Sequence, residues 1–229
     1  MARPIYYDTE TTGISPTKDF IIEIAAYDPD RDRSFEKFVN PGIPIPAEAT
    51  AIHHISDEMV ADAPGFGVVG QEFIDFCEGD VILLAHNNDA FDKPFLESEF
   101  GRNGLQMPSW KFLDTLKWAR RYRPDLPKHA LQFLRETYGV KANNAHRALD
   151  DVIVMHEIFR KMFDDLTIDQ AFELLNVPRF LKHMPFGKHQ GKLLEEVPKD
   201  YLKWLKESGA LDKPGNQELV ESLSNLQLL

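Results

Sequence analysis

The chain has 229 residues, of which 43% are hydrophobic and 28% are charged, values typical of a globular protein with a sizeable core. This composition excludes a disordered or fibrous chain, and no stretch approaches the roughly 18 apolar residues that a membrane span needs. The formal net charge of -11 argues against a protein that coats nucleic acid through a general basic surplus. A carboxylate cluster that binds cations would contribute to the same acidic count.

Two further features concern the cellular setting. The N-terminus runs directly into a strand-like segment that leaves no room for a signal peptide, which favours a cytoplasmic protein. The single cysteine, Cys77, has no internal disulfide partner and lies in an amphipathic segment. We therefore expect a buried structural thiol at this position and not a nucleophile.

The N-terminal segments predict a β-meander. Residues 4–8, 20–27 and 34–39 are apolar or β-branched and are separated by Gly, Pro, Asp or Asn. Such short connections imply antiparallel strands.

Strands and helices then alternate, which implies crossover connections and parallel strands. The predicted elements are a helix near 66–78, a strand at 81–85, a helix near 89–103, a strand near 110–113 and helices near 114–122, near 129–138 and up to 164. Thr167 and Gln170 fit a capping box that opens a further short helix. Together the patterns predict an α/β protein with a mixed sheet flanked by helices.

The C-terminal segment has a different character, and we divide the chain into a domain over 1–178 and a small module over 179–229. The two glycines between Phe186 and Lys192 suit a hairpin, and Pro198 is placed to begin an amphipathic helix. Residues beyond about Lys213 are either a weakly ordered tail or a final helix. The lysines and aromatic residues of the module suit binding to single strands or duplex ends, and the alternative is a stabilising subdomain with an aromatic core.

Three acidic clusters carry the candidate chemistry. Asp8 and Glu10 project from one face at the end of the first strand, where they either bind a cation together or form a solvated strand end. Residues 86–92 follow the buried strand 81–85, a position where α/β sheets place their sites, and Asp89 there is the expected helix cap. Residues 146–151 open the long helix that ends near 164.

The three clusters resemble, in the same order, the motifs of the DEDDh, DnaQ-type 3′-to-5′ exonucleases. The matching segments are Tyr-Asp-Thr-Glu-Thr-Thr-Gly, His-Asn-x-x-x-Phe-Asp and His-x-Ala-x-x-Asp, and the resemblance covers residues 4–164. It implies a ribonuclease-H-like fold and a site with two Mg²⁺ ions, for which Mn²⁺ would substitute. The implied roles are metal ligand for Asp8, Glu10, Asp92 and Asp151, and general base for His146.

The fourth acid requires a choice between neighbours. If His146 lay within the helix, Asp150 would share its face better than Asp151 would. The family pattern implies that the histidine precedes or only begins the helix, and we follow it in selecting Asp151.

The resemblance also implies a set of substrate contacts. Ala51-Ile-His-His-Ile is similar to the family's Ile-His-Gly-Ile segment, with His54 in place of the usual glycine. The glycine of the Thr-Thr-Gly turn would let backbone amides approach the terminal nucleotide. The implied contacts are Thr11, Thr12, Gly13, His53, Ile55, Asn87 and Phe91.

The expected activity is 3′-to-5′ hydrolysis of DNA ends in repair or end trimming. The alternatives are a 3′ exoribonuclease, a non-catalytic nucleic-acid-binding relative and a proofreading subunit of a polymerase. The C-terminal module is similar to the one that follows the catalytic domain in exonuclease X-like proteins, which favours an autonomous enzyme. DNA is the expected partner, with RNA a second option, no membrane partner is expected, and a dimer is left open.

Overall fold

The computed structural model describes residues 1–141, 148–177, 180–213 and 216–229. The chain forms two compact units, Met1–Leu175 and Asn176–Leu229. Within the described residues, no helix combines the length and the apolar character needed to cross a bilayer.

The first unit is built on a five-stranded mixed sheet, as the sequence predicts. The strands are β1 (Arg3–Thr11), β2 (Ile21–Asp28), β3 (Arg33–Phe38), β4 (Val81–Ala85) and β5 (Lys111–Asp114). The order across the sheet is β3-β2-β1-β4-β5. The β1–β2 and β2–β3 pairs are antiparallel, whereas the β1–β4 and β4–β5 pairs are parallel. This arrangement confirms the predicted meander followed by crossover strands.

Helices cover both faces of the sheet. Those of the first unit are α1 (Ala47–His53), α2 (Asp57–Val60), α3 (Phe66–Phe76), α4 (Asp92–Arg102), α5 (Thr115–Tyr122), α6 (Leu131–Thr137), α7 (Ala148–Phe163) and α8 (Ile168–Asn176), the last of which ends at the start of the second unit. The backbone N–H of Thr167 donates to Gln170 Oε1 (2.8 Å) and the N–H of Gln170 donates to Thr167 Oγ1 (3.3 Å). These reciprocal bonds confirm the capping box before α8.

Residues of β1 alternate between two hydrophobic cores. Tyr6 belongs to the core that includes Met155 and Phe159 of α7, whereas Tyr7 belongs to the core that includes Phe73 of α3 and Phe95 of α4. Because side chains of a strand alternate between faces, Asp8 and Glu10 share the face of Tyr6. Both acids therefore lie on the side of the sheet covered by α7.

Two boundaries differ from the expectation. Strand β1 continues to Thr11 and does not end at residue 8, because its pairing with β2 persists through Glu10 before the register shifts. Helix α4 begins at Asp92 with Phe91 in the capping position, so the expectation that Asp89 caps this helix is wrong. The Asp89 carboxylate instead lies 3.6 Å from the Lys117 ammonium.

The second unit contains the expected hairpin in a short form, in which the Met184 N–H donates to the Lys192 carbonyl (2.8 Å) and the Leu194 N–H to the Lys182 carbonyl (2.9 Å). One antiparallel bridge joins His183 to Leu193, and short 3-10 turns occupy Gly187–His189 and Leu194–Glu196. Gly187 and Gly191 lie between the paired residues and both have positive φ, a conformation that glycine adopts without strain. The unit also contains α9 (Lys199–Glu207), which follows Pro198, and α10 (Gln217–Asn225). The residues beyond Lys213 thus include a helix whose Leu219 and Leu223 are buried.

Cys77 is buried at the end of α3, and burial raises the pKa of its thiol well above the usual range. The thiol packs in the core on the α3 side of the sheet. The predicted structural role of this cysteine therefore agrees with its environment.

Candidate active site

The carboxylate of Asp8 is the centre of an acidic cluster. Burial raises its pKa well above the usual range, and the nearby carboxylates of Asp92, Glu10, Asp151 and Glu23 raise it further, in that order. These interactions require the groups to be neighbours in space. The structure therefore brings the four predicted metal-binding acids into one neighbourhood, together with Glu23 of β2, which pairs in register with Glu10.

Asp92 is tied directly to β1. Asp92 is only 1% exposed. Its Oδ1 accepts hydrogen bonds from the backbone N–H (3.1 Å) and the hydroxyl (2.8 Å) of Thr9. Thr9 follows Asp8 in β1, and the Asp92 carboxylate is also close enough to raise the pKa of Asp8, so these bonds hold the first residue of α4 near Asp8. Burial raises the pKa of Asp92, and the hydrogen bonds from Thr9 oppose part of that shift.

Asp151 approaches the cluster from the first turn of α7. The Gln132 side-chain amide in α6 donates a hydrogen bond of 3.3 Å to Asp151 Oδ1, which restricts the orientation of the carboxylate. Asp151 is among the groups that raise the pKa of Asp8. The spatial arrangement supports the choice of Asp151 as the fourth acid.

The donor set suits hard divalent cations. Carboxylate oxygens are the ligands that Mg²⁺ and Mn²⁺ prefer, and a cation relieves the repulsion that raises the pKa of Asp8. Across the described residues, no three His, Cys, Asp or Glu side chains form a ready-made metal cluster. The fit therefore rests on the oxygen donors and on their electrostatic interaction, and the carboxylates would need to rotate toward a shared ion.

The Thr-Thr-Gly turn after β1 is held by internal bonds. The Thr11 hydroxyl donates to the Gly13 carbonyl (2.6 Å), and Thr12 Oγ1 accepts from the Phe20 N–H (3.0 Å). A Cβ at Gly13 would lie 2.5 to 2.7 Å from the carboxylate atoms of Asp19. A side chain at position 13 would therefore displace the Asp19 carboxylate, which accepts a hydrogen bond of 2.8 Å from the Ser15 N–H.

The predicted substrate contacts His53 and Ile55 are buried, as are Thr11 and Thr12 of the turn after β1. His53 is 2% exposed and Ile55 is fully buried, and His53 Nδ1 accepts a hydrogen bond of 3.0 Å from the Ile55 N–H. Between them, His54 has a φ of 62°. This left-handed conformation explains why the similar family segment carries glycine at the position of His54.

The loop before Asp92 depends on Asp114, a residue that the sequence analysis missed. The Asp114 carboxylate accepts hydrogen bonds from four backbone N–H groups, which belong to Asn87 (3.2 Å), Asp89 (3.0 Å), Leu116 (2.8 Å) and Lys117 (3.1 Å). It thus caps α5 and fastens the 87–89 loop at once. Its position at a strand-to-helix junction is the signal that could have revealed it.

Other side chains of the 86–91 loop have distinct environments. Asn87 is exposed with a φ of 72°, and Phe91 is half-buried against Phe95 with ring centroids 5.0 Å apart. Asn88 is fully buried and accepts a hydrogen bond from the Tyr7 hydroxyl, a contact that the sequence analysis also missed. Burial lowers the pKa of His86 to about 4, so this imidazole is neutral. Only Asn87 and Phe91 of this loop remain predicted substrate contacts.

The predicted general base, His146, lies outside the described residues.

Comparison with known proteins identifies the family. Residues 5–159 match the sequence family described as Exonuclease. The chain belongs to the DEDDh, DnaQ-type exonuclease family. Members of this family depend on divalent metal ions, and the oxygen donors of the acidic cluster suit such ions. Residues 174–219 match a second family, described as a putative quorum-sensing-regulated virulence factor.

Several relatives and solved structures are similar to this chain. A PolC-type DNA polymerase III from Caldanaerobacter subterraneus subsp. tengcongensis is 39% identical over 165 residues, which are 71% of this chain and 12% of that protein. A zinc-bound E. coli exonuclease I–ssDNA complex matches with a TM-score of 0.64 and 20% identity, covering 76% of this chain and 42% of that one. Exonuclease X in complex with 5′ overhanging duplex DNA matches with a TM-score of 0.57 and 27% identity, covering 76% and 99%.

The acidic cluster predicts a metal-dependent change in stability. Asp8 and Asp92 have raised pKa values, so the folded state retains their protons to higher pH than the unfolded state does. Both groups therefore favour folding at low pH, and this contribution is lost as pH rises from about 4 through the folded pKa values.

We expect Asp8→Asn to raise the melting temperature in chelator at neutral pH, and Mg²⁺ to stabilise the wild type more than this variant. Thermal unfolding followed by circular dichroism measures both, with Asp150→Asn as the matched control. Equal metal shifts in the wild type and Asp8→Asn would contradict the assignment.

A second prediction concerns Asp114. Asp114→Ala should lower the free energy of unfolding by about 2 kcal/mol, because four backbone N–H groups lose a charged acceptor. It should also reduce metal-dependent hydrolysis through displacement of the 87–89 loop. Urea unfolding measures the first effect, and Asp89→Ala, which removes only an exposed ion pair, should change stability by no more than about 0.5 kcal/mol. If Asp114→Ala has the same free energy of unfolding as the wild type, the hydrogen bonds of Asp114 do not support the loop.

Proposed function

We propose that this chain hydrolyses DNA from 3′ ends, using two divalent ions at the acidic cluster, with a role in repair or end trimming. The observation that carries the proposal is the convergence of Asp92, Glu10 and Asp151 on Asp8 in a chain that belongs to the exonuclease family. The proposed catalytic domain is 1–178, and 179–229 is a separate module.

In the proposed site, Asp8, Glu10, Asp92 and Asp151 hold two Mg²⁺ ions, for which Mn²⁺ substitutes. Such a pair of ions supplies an activated water and stabilises the departing 3′-oxygen. Thr9 holds Asp92 in place through two hydrogen bonds, and Gln132 orients Asp151. The terminal nucleotide is contacted by two residues of the loop before Asp92, the exposed Asn87 and the half-buried Phe91.

His146 is the proposed general base. An imidazole with an ordinary pKa of about 6.5 accepts a proton from water near neutral pH far better than a carboxylate with an ordinary pKa does. We expect it to accept the proton of the attacking water, as the family pattern implies.

The choice of DNA is supported by the relatives. The exonuclease I structure contains single-stranded DNA, and the exonuclease X structure contains 5′ overhanging duplex DNA. Proofreading is a second candidate function, favoured by the 39% identity to a PolC-type DNA polymerase III. This chain spans 12% of that relative, so the polymerase activity of the whole protein is not carried over.

Digestion of end-labelled strands tests the proposal. With Mg²⁺ or Mn²⁺, 5′-labelled DNA should shorten in single-nucleotide steps, whereas 3′-labelled DNA should release its label first as a mononucleotide. Chelator should abolish both reactions, because the carboxylates alone supply no activated water. Parallel RNA strands distinguish an exoribonuclease. Preferential degradation of RNA, or loss of nucleotides from the 5′ end, would overturn the proposed substrate and polarity.

Substitution of the neighbouring acids tests the ligand assignment. Asp8→Ala and Asp151→Ala should each reduce the hydrolysis rate by at least about a hundredfold, because a metal ligand is lost, while the chain remains folded by circular dichroism. Asp150→Ala is the matched control and should keep most of the activity. If Asp150→Ala is the more damaging of the neighbouring changes, Asp150 and not Asp151 is the ligand.

A further inference from the structure

The second unit carries a row of three aromatic rings. The rings of Tyr201 and Trp204 in α9 are stacked, with centroids 5.6 Å apart and an interplanar angle of 28°. The His189 ring contacts the Tyr201 ring edge-on, with centroids 4.7 Å apart. Trp204 is 56% exposed, so the end of the row is open to solvent.

The buried core of this unit determines the direction of the row. Leu202 and Leu205 are buried and belong to the core with Leu194 and Leu219, which fixes the rotation of α9. Trp204 lies between two inward-facing positions along the helix and does not belong to that core. The alternative that all the aromatic residues of this unit serve as its core therefore fails for Trp204.

Glycine permits the close approach of the neighbouring loop. Gly187 has a φ of +76°, and a Cβ at this position would collide with the Tyr201 hydroxyl. The turn Gly187–His189 therefore packs directly against α9, which holds His189 beside Tyr201. Two segments of the unit thus hold His189 and Tyr201 together, and the exposed Trp204 ring stacks on Tyr201.

Lysines lie on both segments that carry the row. Burial lowers the pKa of His189, and the nearby ammonium groups of Lys192 and Lys188 lower it further. Helix α9 adds further exposed lysines, namely Lys199, Lys203 and Lys206, of which Lys203 lies 3.8 Å from Glu207. Residues 176–229 contain eight Lys or Arg and seven Asp or Glu, whereas the whole chain has a net charge of -11. The acidic surplus therefore lies in the first unit.

Stacked, exposed aromatic rings with flanking lysines suit one class of ligand. Bases of a single strand stack on such rings, and its phosphates interact with cationic side chains. A base-paired duplex offers fewer free base faces, and an acidic peptide would use the lysines without needing the stack.

We propose that the aromatic row His189–Tyr201–Trp204 and its flanking lysines bind single-stranded DNA, with a base stacked on Trp204. The inference rests on the proposed function for the choice of DNA, and it assigns the second unit a binding role of its own. Binding at the row requires neither the carboxylates nor a metal ion.

Binding measurements on the full chain in chelator test the stacking. We expect fluorescence anisotropy of labelled oligothymidylate to show about tenfold weaker binding for Trp204→Leu, because stacking on the indole is lost. Trp204→Phe keeps an aromatic face and should restore most of the affinity. Trp110 and Trp118 are half-buried and buried respectively, so quenching of tryptophan emission by the oligonucleotide should disappear in Trp204→Leu. Equal affinity in the wild type and Trp204→Leu would overturn the proposal.

Salt dependence tests the lysines. The double variant Lys188→Glu with Lys192→Glu should bind more weakly and lower the slope of log affinity against log salt by about 0.7 per lost phosphate contact. Lys37→Glu makes the same kind of charge change on β3 and is the control. An unchanged slope in the double variant, or tighter binding of an acidic peptide or of RNA than of oligothymidylate, would also overturn the proposal.

The hydrolysis assay is read separately from these measurements. Loss of binding in Trp204→Leu together with no metal-dependent hydrolysis by the wild type would support the DNA site and refute the proposed function. Hydrolysis from 3′ ends by the wild type together with unchanged binding in Trp204→Leu would support the proposed function and refute the DNA site.

Discussion

Mutual repulsion of carboxylates around β1 is the constraint on which the active site depends. Asp8 lies close enough to Asp92, Glu10, Asp151 and Glu23 for all of them to raise its pKa. Such an arrangement costs stability in the absence of cations, since desolvated like charges oppose each other. The surrounding fold holds the acids together through hydrogen bonds, above all the two from Thr9 to Asp92. A site that is unfavourable alone and favourable with divalent ions is consistent with a metal-dependent nuclease.

Support for the acids comes from residues outside the recognised motifs. The Asp114 carboxylate gathers four backbone N–H groups from the loop before α4 and from the start of α5. Gln132 contacts Asp151 from α6, and Asp19 fills the space beside Gly13. These contacts join segments distant in sequence, so the geometry of the site is a property of the whole first unit.

The two units have separate cores and different charge. The first is an α/β exonuclease unit with the acidic surplus, and the second presents exposed lysines and a stacked aromatic pair on a core of leucines. If the second unit binds a single strand, affinity for DNA and hydrolysis reside in different parts of the chain. The acidic net charge of the protein is then compatible with a nucleic-acid substrate, because cations neutralise one unit and lysines serve the other.

The sequence by itself determined the mixed sheet, the family and the candidate acids, because strand and helix periodicity and short motifs are local properties. It failed where a residue's role depends on distant neighbours. The roles of Thr9 and Asp114 depend on their hydrogen bonds to Asp92 and to the 87–89 loop, which the sequence does not show. The expected hairpin has one antiparallel bridge and encloses a 3-10 turn, and the contact between Gly187 and Tyr201 is not visible in the sequence. Only tertiary packing decides which side chains are enclosed and which charges become neighbours.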